Sequence, residues 1–305
     1  MALRTFVREV YAPGLHLAYS AAWFLALLGT LGSVEGRGTK LRVDASVVAS
    51  IATVFLVLFF LRVVDEWKDL EYDRVHNPER PLVRGAVSKR DLLAYLAVTA
   101  VVVVALNAWL SIKLALIASL DMAWGIALVG LERVSRRVRD GMLLNLVVTY
   151  PVNVALSVYT YAFFLDRTHA APSARGVLVL VAFALAFLVY ELLRKTIWPA
   201  FAKPDERLYS RELGGAGAIL LALACATLAT TILVVLLAAS GERALLVLCV
   251  APMLPAILAT VRFLRTRTRR VKLTPLGTAY LLVFYVGQCV AALAMSPFAG
   301  LGSGR

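Results

Sequence analysis

The chain has 305 residues, of which 61% are hydrophobic and 17% are charged, and its formal net charge is +13. Soluble globular domains are about 45–50% apolar, so this composition excludes an ordinary soluble protein. A bilayer core about 30 Å thick needs about 20 apolar residues per helix, and several segments of the chain meet that length. The composition therefore predicts an all-α, polytopic membrane protein.

Apolar runs of bilayer length recur along the whole chain. We predict nine spans, at 13–33, 44–64, 91–111, 112–131, 141–164, 174–193, 213–239, 244–262 and 276–297. The two longest polar segments between them, 65–90 and 194–212, are too short for a soluble domain. Residues 1–305 are therefore predicted to form a single transmembrane domain, with both polar segments on the same side of the membrane.

Positive charge is concentrated on one side of the predicted membrane. With the N-terminus inside, the inner segments and the inner boundary carry 24 of the 32 Lys and Arg residues, and the outer segments carry 8. This bias is typical of cytoplasmic loops. We therefore expect a bacterial inner-membrane protein whose N-terminus and both long loops face the cytoplasm. The basic charge faces lipid headgroups and does not indicate nucleic-acid binding.

An acidic cluster follows the second span directly. The stretch DEWKDLEYD places five carboxylates within nine residues, at Asp65, Glu66, Asp69, Glu71 and Asp73. On a helix, Glu66, Asp69 and Asp73 would share one face. Carboxylates this close repel one another unless cations lie between them, and hard oxygen ligands at this density suit Mg²⁺. The cluster therefore predicts a magnesium site.

A basic segment follows the acids. In NPERPLVRG, Arg80 and Arg84 lie a short loop beyond Asp73, and Gly85 allows tight passage of the backbone. Carboxylates for a metal beside arginines for phosphate describe a diphosphate site. A charged loop that only marks a membrane boundary usually mixes its charges, whereas here five acids within nine residues precede a separate basic segment.

The pattern D-E-x-x-D-x-x-x-D, followed by N-x-x-R-P-L-x-x-G-x-x-S, resembles the first signature of the UbiA-type intramembrane prenyltransferase superfamily. Asp65 and Glu66 stand where that signature usually has Asn and Asp. The matching positions are Asp69, Asp73, Arg80, Pro81 and Gly85. The resemblance covers essentially the whole chain, and it implies nine transmembrane helices around a central cavity that two inner-face loops cap.

The resemblance also implies the chemistry of the site. It implies Mg²⁺ as the cofactor and a prenyl diphosphate as the substrate, with Arg80 at the diphosphate. Arg84, from the same basic segment, is a further candidate for binding the substrate. The implied metal ligands in this motif are Asp65, Glu66, Asp69 and Asp73.

The second signature departs from the usual run of spaced aspartates. In the corresponding stretch, YELLRKTIWPAFAKPDERLYSRELGG, Glu191 takes the place of the leading aspartate and is followed by Arg194 and Lys195. The resemblance implies Glu191 as a metal ligand. Arg194 and Lys195 either neutralise the diphosphate directly or anchor the inner face, and the number of metal ions stays open. Three further residues of this stretch are candidates for the site: Asp205, Glu206 and Tyr209.

Polar and aromatic residues inside the spans are candidates for binding the substrate. Asp121 lies in the middle of the fourth span, where an unpaired charge is costly; structural pairing and a chemical role are both open. Aromatic faces stabilise carbocations, and we select Trp124 and Tyr150 for that role. Asn145 and Asn153 complete the set, although interhelical hydrogen bonding is the usual role of such residues.

Together these patterns predict Mg²⁺-dependent transfer of an isoprenoid from its diphosphate to an aromatic or lipophilic acceptor. One alternative is a terpene cyclase of the same superfamily, which uses no acceptor. Another is a non-catalytic transporter or lipid-binding protein, disfavoured because Pro151, Pro252 and Pro255 do not occupy matched positions in two halves. A CDP-alcohol phosphotransferase is disfavoured because its D-G-x-x-A-R string does not precede Asp65.

Overall fold

The structure is a computed structural model that describes residues 2–35, 43–204, 206–238 and 246–294. In chain order the α-helices are α1 (Ala2–Glu9), α2 (Pro13–Glu35), α3 (Ala45–Lys68), α4 (Leu70–His76), α5 (Lys89–Leu110), α6 (Ile112–Val134), α7 (Arg136–Asp140), α8 (Met142–Thr149), α9 (Pro151–Thr168), α10 (Ala174–Arg194), α11 (Tyr209–Ala238), α12 (Leu246–Val250), α13 (Met253–Arg265) and α14 (Thr274–Ala294). A 3₁₀ helix, Pro199–Phe201, lies between α10 and α11. All regular structure in these ranges is helical, so the all-α prediction is confirmed.

Nine segments of the described chain are long and apolar enough to cross a membrane. Seven are single helices (α2, α3, α5, α6, α10, α11 and α14), and the pairs α8–α9 and α12–α13 provide the fifth and eighth. They match the nine predicted spans in order, so the chain is an integral, multi-pass membrane protein. The second span is longer than predicted. Its helix continues past residue 64 to Lys68, so it includes the first acids of the cluster.

Prolines mark both of the spans that consist of two helices. Pro151 is the first residue of α9, and Pro252 is the N-cap of α13. A proline has no N–H group and its ring clashes with the preceding turn, so it is tolerated at the start of a helix and not in its interior. These two breaks therefore follow from the sequence.

Capping side chains stabilise the first turn of two of the spans. Asp44 Oδ1 accepts hydrogen bonds from the N–H groups of Ser46 at 3.0 Å and Val47 at 3.3 Å. At the start of α5, the Asp91 N–H donates to Ser88 Oγ at 3.2 Å, and the Ser88 N–H donates to Asp91 Oδ2 at 2.8 Å. These bonds satisfy N–H groups that a helix start otherwise leaves unpaired.

The described residues group into two compact units. The first unit draws on the segments Met1–Phe24, Val43–Arg136 and Val148–Ala162, and it contains the acidic cluster. The second unit draws on Leu25–Arg42, Arg137–Val147 and Phe163–Arg305, and it contains the polar loop that follows α10.

Within the first unit, α3 packs against both α5 and α6. A buried polar network joins three helices: Tyr159 Oη donates to Asn107 Oδ1 at 2.7 Å, and Asn107 Nδ2 donates to Thr53 Oγ1 at 2.9 Å. Hydrogen bonds between buried side chains stabilise helix packing in the absence of water. Asn107 and Thr53 are thus structural residues that the sequence analysis missed, although uncharged polar side chains inside apolar spans were the available signal.

Within the second unit, α10 packs along α11 and α14, and α13 contacts the same two helices. Gln288 of α14 is buried, and it accepts a hydrogen bond from Thr30 at 3.3 Å and contacts Cys249 Sγ at 3.7 Å. These contacts satisfy a buried amide, which would otherwise be costly in an apolar environment.

Candidate functional site

The acidic cluster lies on a helical path that is almost continuous. α3 ends one residue before Asp69 and α4 begins one residue after it. The N–H groups of Asp69 and Asp73 nevertheless donate to the carbonyls of Asp65 and Asp69 at 2.9 and 2.8 Å, and Asn77 continues the series to Asp73 at 2.8 Å. Each is the i→i−4 bond of an α-helix. Asp65, Asp69 and Asp73 therefore follow one another at intervals of one turn.

Glu66 is buried, with 3% of its surface exposed, and two arginines hold its carboxylate. Arg62 Nη2, one helical turn earlier, forms an ion pair with Glu66 Oε1. Arg80 Nη1, from the loop after α4, donates to the same oxygen at 2.9 Å. A buried carboxylate is costly unless it is paired and hydrogen-bonded, so this arrangement neutralises Glu66 and fixes the position of Arg80.

Lys68, inside the acidic motif, links it to a neighbouring helix. Its Nζ lies 3.5 Å from Asp65 Oδ1 and 3.3 Å from Oε1 of Glu132, a buried residue of α6. The sequence analysis missed Lys68, Glu132 and Arg62 as site residues. The available signals were a lysine within the acidic motif and an arginine four residues before Glu66.

The remaining acids differ in burial. Asp73 is 5% exposed, and its Oδ1 accepts a hydrogen bond from Asn77 Nδ2 at 2.6 Å. Asp69 is half-buried at the junction of α3 and α4. Glu71, by contrast, has a side chain that is 80% exposed, and it pairs with Arg74 at 2.9 Å. Glu71 is therefore a surface residue, unlike the buried and half-buried acids of the cluster.

The carboxylates of this motif have the chemistry that Mg²⁺ requires. No three His, Cys, Asp or Glu side chains converge as a metal-binding group anywhere in the described ranges. Mg²⁺, however, is usually held by one or two carboxylates together with substrate phosphates and water. Asp69 and Asp73 fit that requirement, with Asp65 one turn earlier. Glu66 fits less well, because two arginines already neutralise it.

The structure pairs Arg84 with the N-terminal helix. Arg84 Nη2 donates to both carboxylate oxygens of Glu9, at 2.7 Å each. Both side chains are almost half exposed. This ion pair joins the loop that carries Arg80 to α1.

The predicted candidates within the spans of the first unit have different surroundings. Asp121 is 2% exposed, and neither carboxylate oxygen has a hydrogen-bond partner among the described residues. Trp124 is 41% exposed and donates its indole N–H to the Val148 carbonyl at 3.2 Å. Tyr150 and Asn153 flank the break in the fifth span, where the Asn153 N–H donates to the Tyr150 carbonyl at 3.0 Å.

Asn145 belongs to the second unit, where it lies half-buried in α8. The start of that helix is capped from α11: the Glu212 carboxylate accepts hydrogen bonds from the N–H groups of Met142 and, at 3.2 Å, Leu143. Negative charge at a helix N-terminus is favourable, so Glu212 stabilises the helix that carries Asn145.

The second unit brings four predicted residues together at the end of α10. Arg194 Nη2 donates to both oxygens of Glu191 at 2.6 and 2.8 Å, and Lys195 Nζ lies 3.7 Å from Glu191 Oε2. The same Nζ is 5.5 Å from the centre of the Tyr209 ring, which is buried. The cluster carries one acid and two cations, and it therefore has a net positive charge.

The loop after this cluster is held in place by its own contacts. Ser210 Oγ donates to the Ile197 carbonyl at 2.6 Å and accepts from the Ile197 N–H at 3.2 Å. The Trp198 ring stacks on Phe263 at 4.5 Å between ring centres. Gly215 leaves room for this indole, because a Cβ there would lie 2.5 Å from the ring. The loop is thus a packed element.

An ion pair closes the far end of the same loop. Arg270 Nη1 donates to Glu206 Oε2 at 3.0 Å and to the Phe201 carbonyl at 3.1 Å. Burial acts to raise the pKa of Glu206, but hydrogen bonds from Arg270 and the Lys203 N–H, together with the charges of both residues, lower that pKa below its usual value. Asp205, the neighbouring acid of the motif, lies outside the described residues.

Solved structures share this fold over nearly the whole chain. A digeranylgeranylglyceryl phosphate synthase matches with a TM-score of 0.63 and 15% identity over 96% of this chain and 99% of that one. A UbiA homologue from Aeropyrum pernix K1 matches with a TM-score of 0.57 and 22% identity, over 88% and 97% of the two chains. A UbiA homologue from Archaeoglobus fulgidus, bound to GPP and Mg²⁺, matches with a TM-score of 0.58 and 16% identity, over 93% of this chain and 99% of that one. The fold is therefore that of the UbiA homologues, as the motif predicted.

Sequence comparison gives a more specific similarity. A segment of 115 residues, 38% of this chain, is 33% identical to digeranylgeranylglyceryl phosphate synthase from Halobacterium salinarum, in two strains. The matched segment spans 39% of that relative's length. No family model matches the sequence.

Proposed function

We propose that the chain is an Mg²⁺-dependent intramembrane prenyltransferase, which moves an isoprenoid from its diphosphate to a lipophilic acceptor. The observation that carries the proposal is the helical series Asp65, Asp69 and Asp73 at the end of a membrane span, beside an arginine that Glu66 fixes. UbiA homologues with the same fold have been solved with GPP or DMAPP and Mg²⁺ bound, which supports this substrate class.

The motif residues suit the ionisation of a prenyl diphosphate. Asp69 and Asp73, with Asp65, would hold Mg²⁺, which when bound offsets the negative charge of the leaving diphosphate. Arg80 adds a guanidinium whose planar donors match phosphate oxygens. The bond that breaks joins the allylic carbon to the diphosphate oxygen. The new bond joins that carbon to an acceptor nucleophile, which releases a proton, and the apolar spans exclude water as a competing nucleophile.

We propose that the acceptor is a lipid carrying glyceryl phosphate. The support is the segment that is 33% identical to digeranylgeranylglyceryl phosphate synthase, since that name denotes a glyceryl phosphate with two geranylgeranyl chains. An aromatic acceptor is the competing possibility, and a terpene cyclase would release a cyclic product with no acceptor added. Analysis of the products formed with and without a glyceryl phosphate lipid separates the three.

For the second cluster we propose a cationic role. Glu191 already contacts both Arg194 and Lys195, so a metal bound there would have to replace two ion pairs. We propose instead that Glu191 positions the two cations, which bind a phosphate-bearing substrate. The double variant R194Q/K195Q should then raise the KM for prenyl diphosphate by at least about tenfold. The exposed pair R133Q/R136Q is a matched control for the lost charge.

The ionisation step can be tested with purified protein in detergent and radiolabelled geranylgeranyl diphosphate. Diphosphate release is followed with Mg²⁺ and with EDTA, and the lipids are then extracted. D69N and D73N should lower the rate by about 10² or more, because charge stabilisation of the leaving group is lost. E71Q, which alters an exposed acid of the same cluster, should stay within about twofold. Release at the wild-type rate in EDTA or in D69N would overturn the proposal.

The charge distribution supports one orientation in the membrane. We infer that the N-terminus and both long loops face the cytoplasm, because 24 of the 32 basic residues lie on that side. Labelling of cysteines introduced into the two loops, in intact cells and in lysed cells, tests this orientation.

A further inference from the structure

The N-terminal helix carries a pocket that is lined by none of the residues of the acidic motif. One face of α1 is anchored in the first unit by Phe6, which is buried and has its ring centre 5.7 Å from those of Phe59 and Tyr95. The other side lines a concave pocket of about 530 Å³. The lining residues are Arg4, Thr5, Arg8 and Glu9.

The pocket is positively charged, and its two arginines are unpaired within the described part of the chain. Arg4 and Arg8 are exposed and lie one helical turn apart on one face of α1. Neither has a hydrogen bond or an ion pair within the described part of the chain. Glu9, the acid of the pocket, is already neutralised by its two bonds from Arg84. Two unpaired guanidinium groups therefore face the pocket, with the Thr5 hydroxyl between them in sequence.

Short connections keep this pocket at the membrane surface. Glu9 ends α1, and the first span begins at Pro13; Arg84, its partner, shortly precedes the third span, which begins at Lys89. An extended chain covers at most about 3.6 Å per residue, so the Glu9–Arg84 pair lies close to the ends of two spans. Leu3 is 50% exposed on the same short helix, and exposed apolar and basic residues together are typical of a helix lying in the interface.

We propose that Arg4 and Arg8 form a binding site for the phosphate of a membrane lipid. Their two guanidinium groups supply the hydrogen-bond donors and the charge that a phosphate group requires. The phosphate belongs either to a phospholipid of the bilayer or to a phosphate-bearing lipid acceptor. The phosphate group is recognised in the same way in both cases. Lipid binding is measured without turnover, so the test does not require that the protein catalyses prenyl transfer.

The test uses full-length protein in detergent and measures, by native mass spectrometry, the binding of dioctanoyl phosphatidic acid and of dioctanoyl phosphatidylcholine. Wild-type protein should prefer phosphatidic acid, and R4Q/R8Q should weaken that binding by about tenfold or more. R4K/R8K should keep part of the affinity, because lysine retains the charge and loses the bidentate geometry. R133Q/R136Q removes two exposed arginines of the same predicted face and should change the affinity by less than about twofold.

Two outcomes would overturn the site: full affinity for phosphatidic acid in R4Q/R8Q, or an equal loss in R133Q/R136Q. Displacement of the lipid by an equal concentration of inorganic phosphate would overturn the requirement for a lipid.

Kinetic measurements then distinguish a bilayer phospholipid from a phosphate-bearing acceptor as the source of the phosphate. If the phosphate is that of the acceptor, R4Q/R8Q raises the KM for the acceptor at an unchanged KM for prenyl diphosphate. If the phosphate belongs to a bilayer lipid, R4Q/R8Q leaves both KM values unchanged and lowers only the affinity for the lipid. Thermal unfolding confirms that each variant is folded.

Discussion

Arg80 lies beyond α4, yet its Nη1 is 2.9 Å from Oε1 of Glu66, a buried residue in the last turn of the membrane span α3. The contact closes the acidic motif onto the basic segment that follows it. It fixes a guanidinium beside the aspartates at the point where the span ends. Since Arg62 contacts the same oxygen, Glu66 acts as the common partner of two cations.

Removal of that common partner should destabilise the protein. E66Q leaves Arg62 and Arg80 without their carboxylate, and we expect a loss of about 2–4 kcal/mol in the free energy of unfolding. R84Q, which breaks the half-exposed pair with Glu9, should cost about 1 kcal/mol or less. Unfolding in a detergent series measures both values. Equal losses would show that burial does not distinguish the two ion pairs.

Asp121 should tolerate a neutral replacement. It is buried, and neither oxygen has a hydrogen-bond partner among the described residues, so D121N removes the desolvation cost of a carboxylate and breaks no contact. We expect D121N to unfold at the wild-type temperature or above it. A loss of more than about 1 kcal/mol would instead reveal a partner for this carboxylate. D121L, which also removes the hydrogen-bonding capacity, is the comparison variant.

The Glu206–Arg270 pair predicts a specific dependence of stability on pH. Because the pKa of Glu206 is lowered in the folded state, the pair contributes its full stability above the ordinary glutamate pKa of about 4.3. That contribution is lost as the pH falls through the lower, folded-state pKa. The difference in unfolding temperature between wild type and E206Q should therefore be constant near neutral pH and shrink on acidification. E71Q, at an exposed acid, should show little difference at any pH.

Gly215 should be intolerant of a side chain. A Cβ at this position would lie 2.5 Å from the Trp198 ring, which is stacked on Phe263. G215A must displace the indole, and we expect a loss of about 1–3 kcal/mol with a change in tryptophan fluorescence. G217A, in the same helix, meets its nearest neighbour at an ordinary 3.6 Å, so it should be neutral or slightly stabilising. Similar behaviour of the two variants would contradict this packing.

The helical framework could be predicted from the sequence because its signals are local. Apolar runs of bilayer length predicted the spans, and the Ser88–Asp91 capping box marks the start of α5 with residues only three positions apart. The series of aspartates followed from helical spacing alone. Such signals do not depend on the rest of the fold.

The partners of the charged residues could not be predicted, because they depend on packing. Glu132 reaches Lys68 from another helix, and no local pattern connects the two positions. Arg84 is predicted to bind the substrate as part of the basic segment, and no local pattern indicated its partner in the structure, Glu9 of α1. Which of five neighbouring acids is buried with two arginines is likewise decided by the helices around them.

The backbone hydrogen bonds of Asp69 and Asp73, which link the end of α3 to α4, have a consequence for the membrane itself. Asp65, Asp69 and Asp73 move with the span that carries them, so a tilt of α3 displaces all three and leaves the spacing between them unchanged. Transmembrane helices adapt to a thinner or thicker bilayer by tilting. We therefore expect lipid composition to change the depth of these carboxylates in the membrane, while the helix keeps their spacing constant.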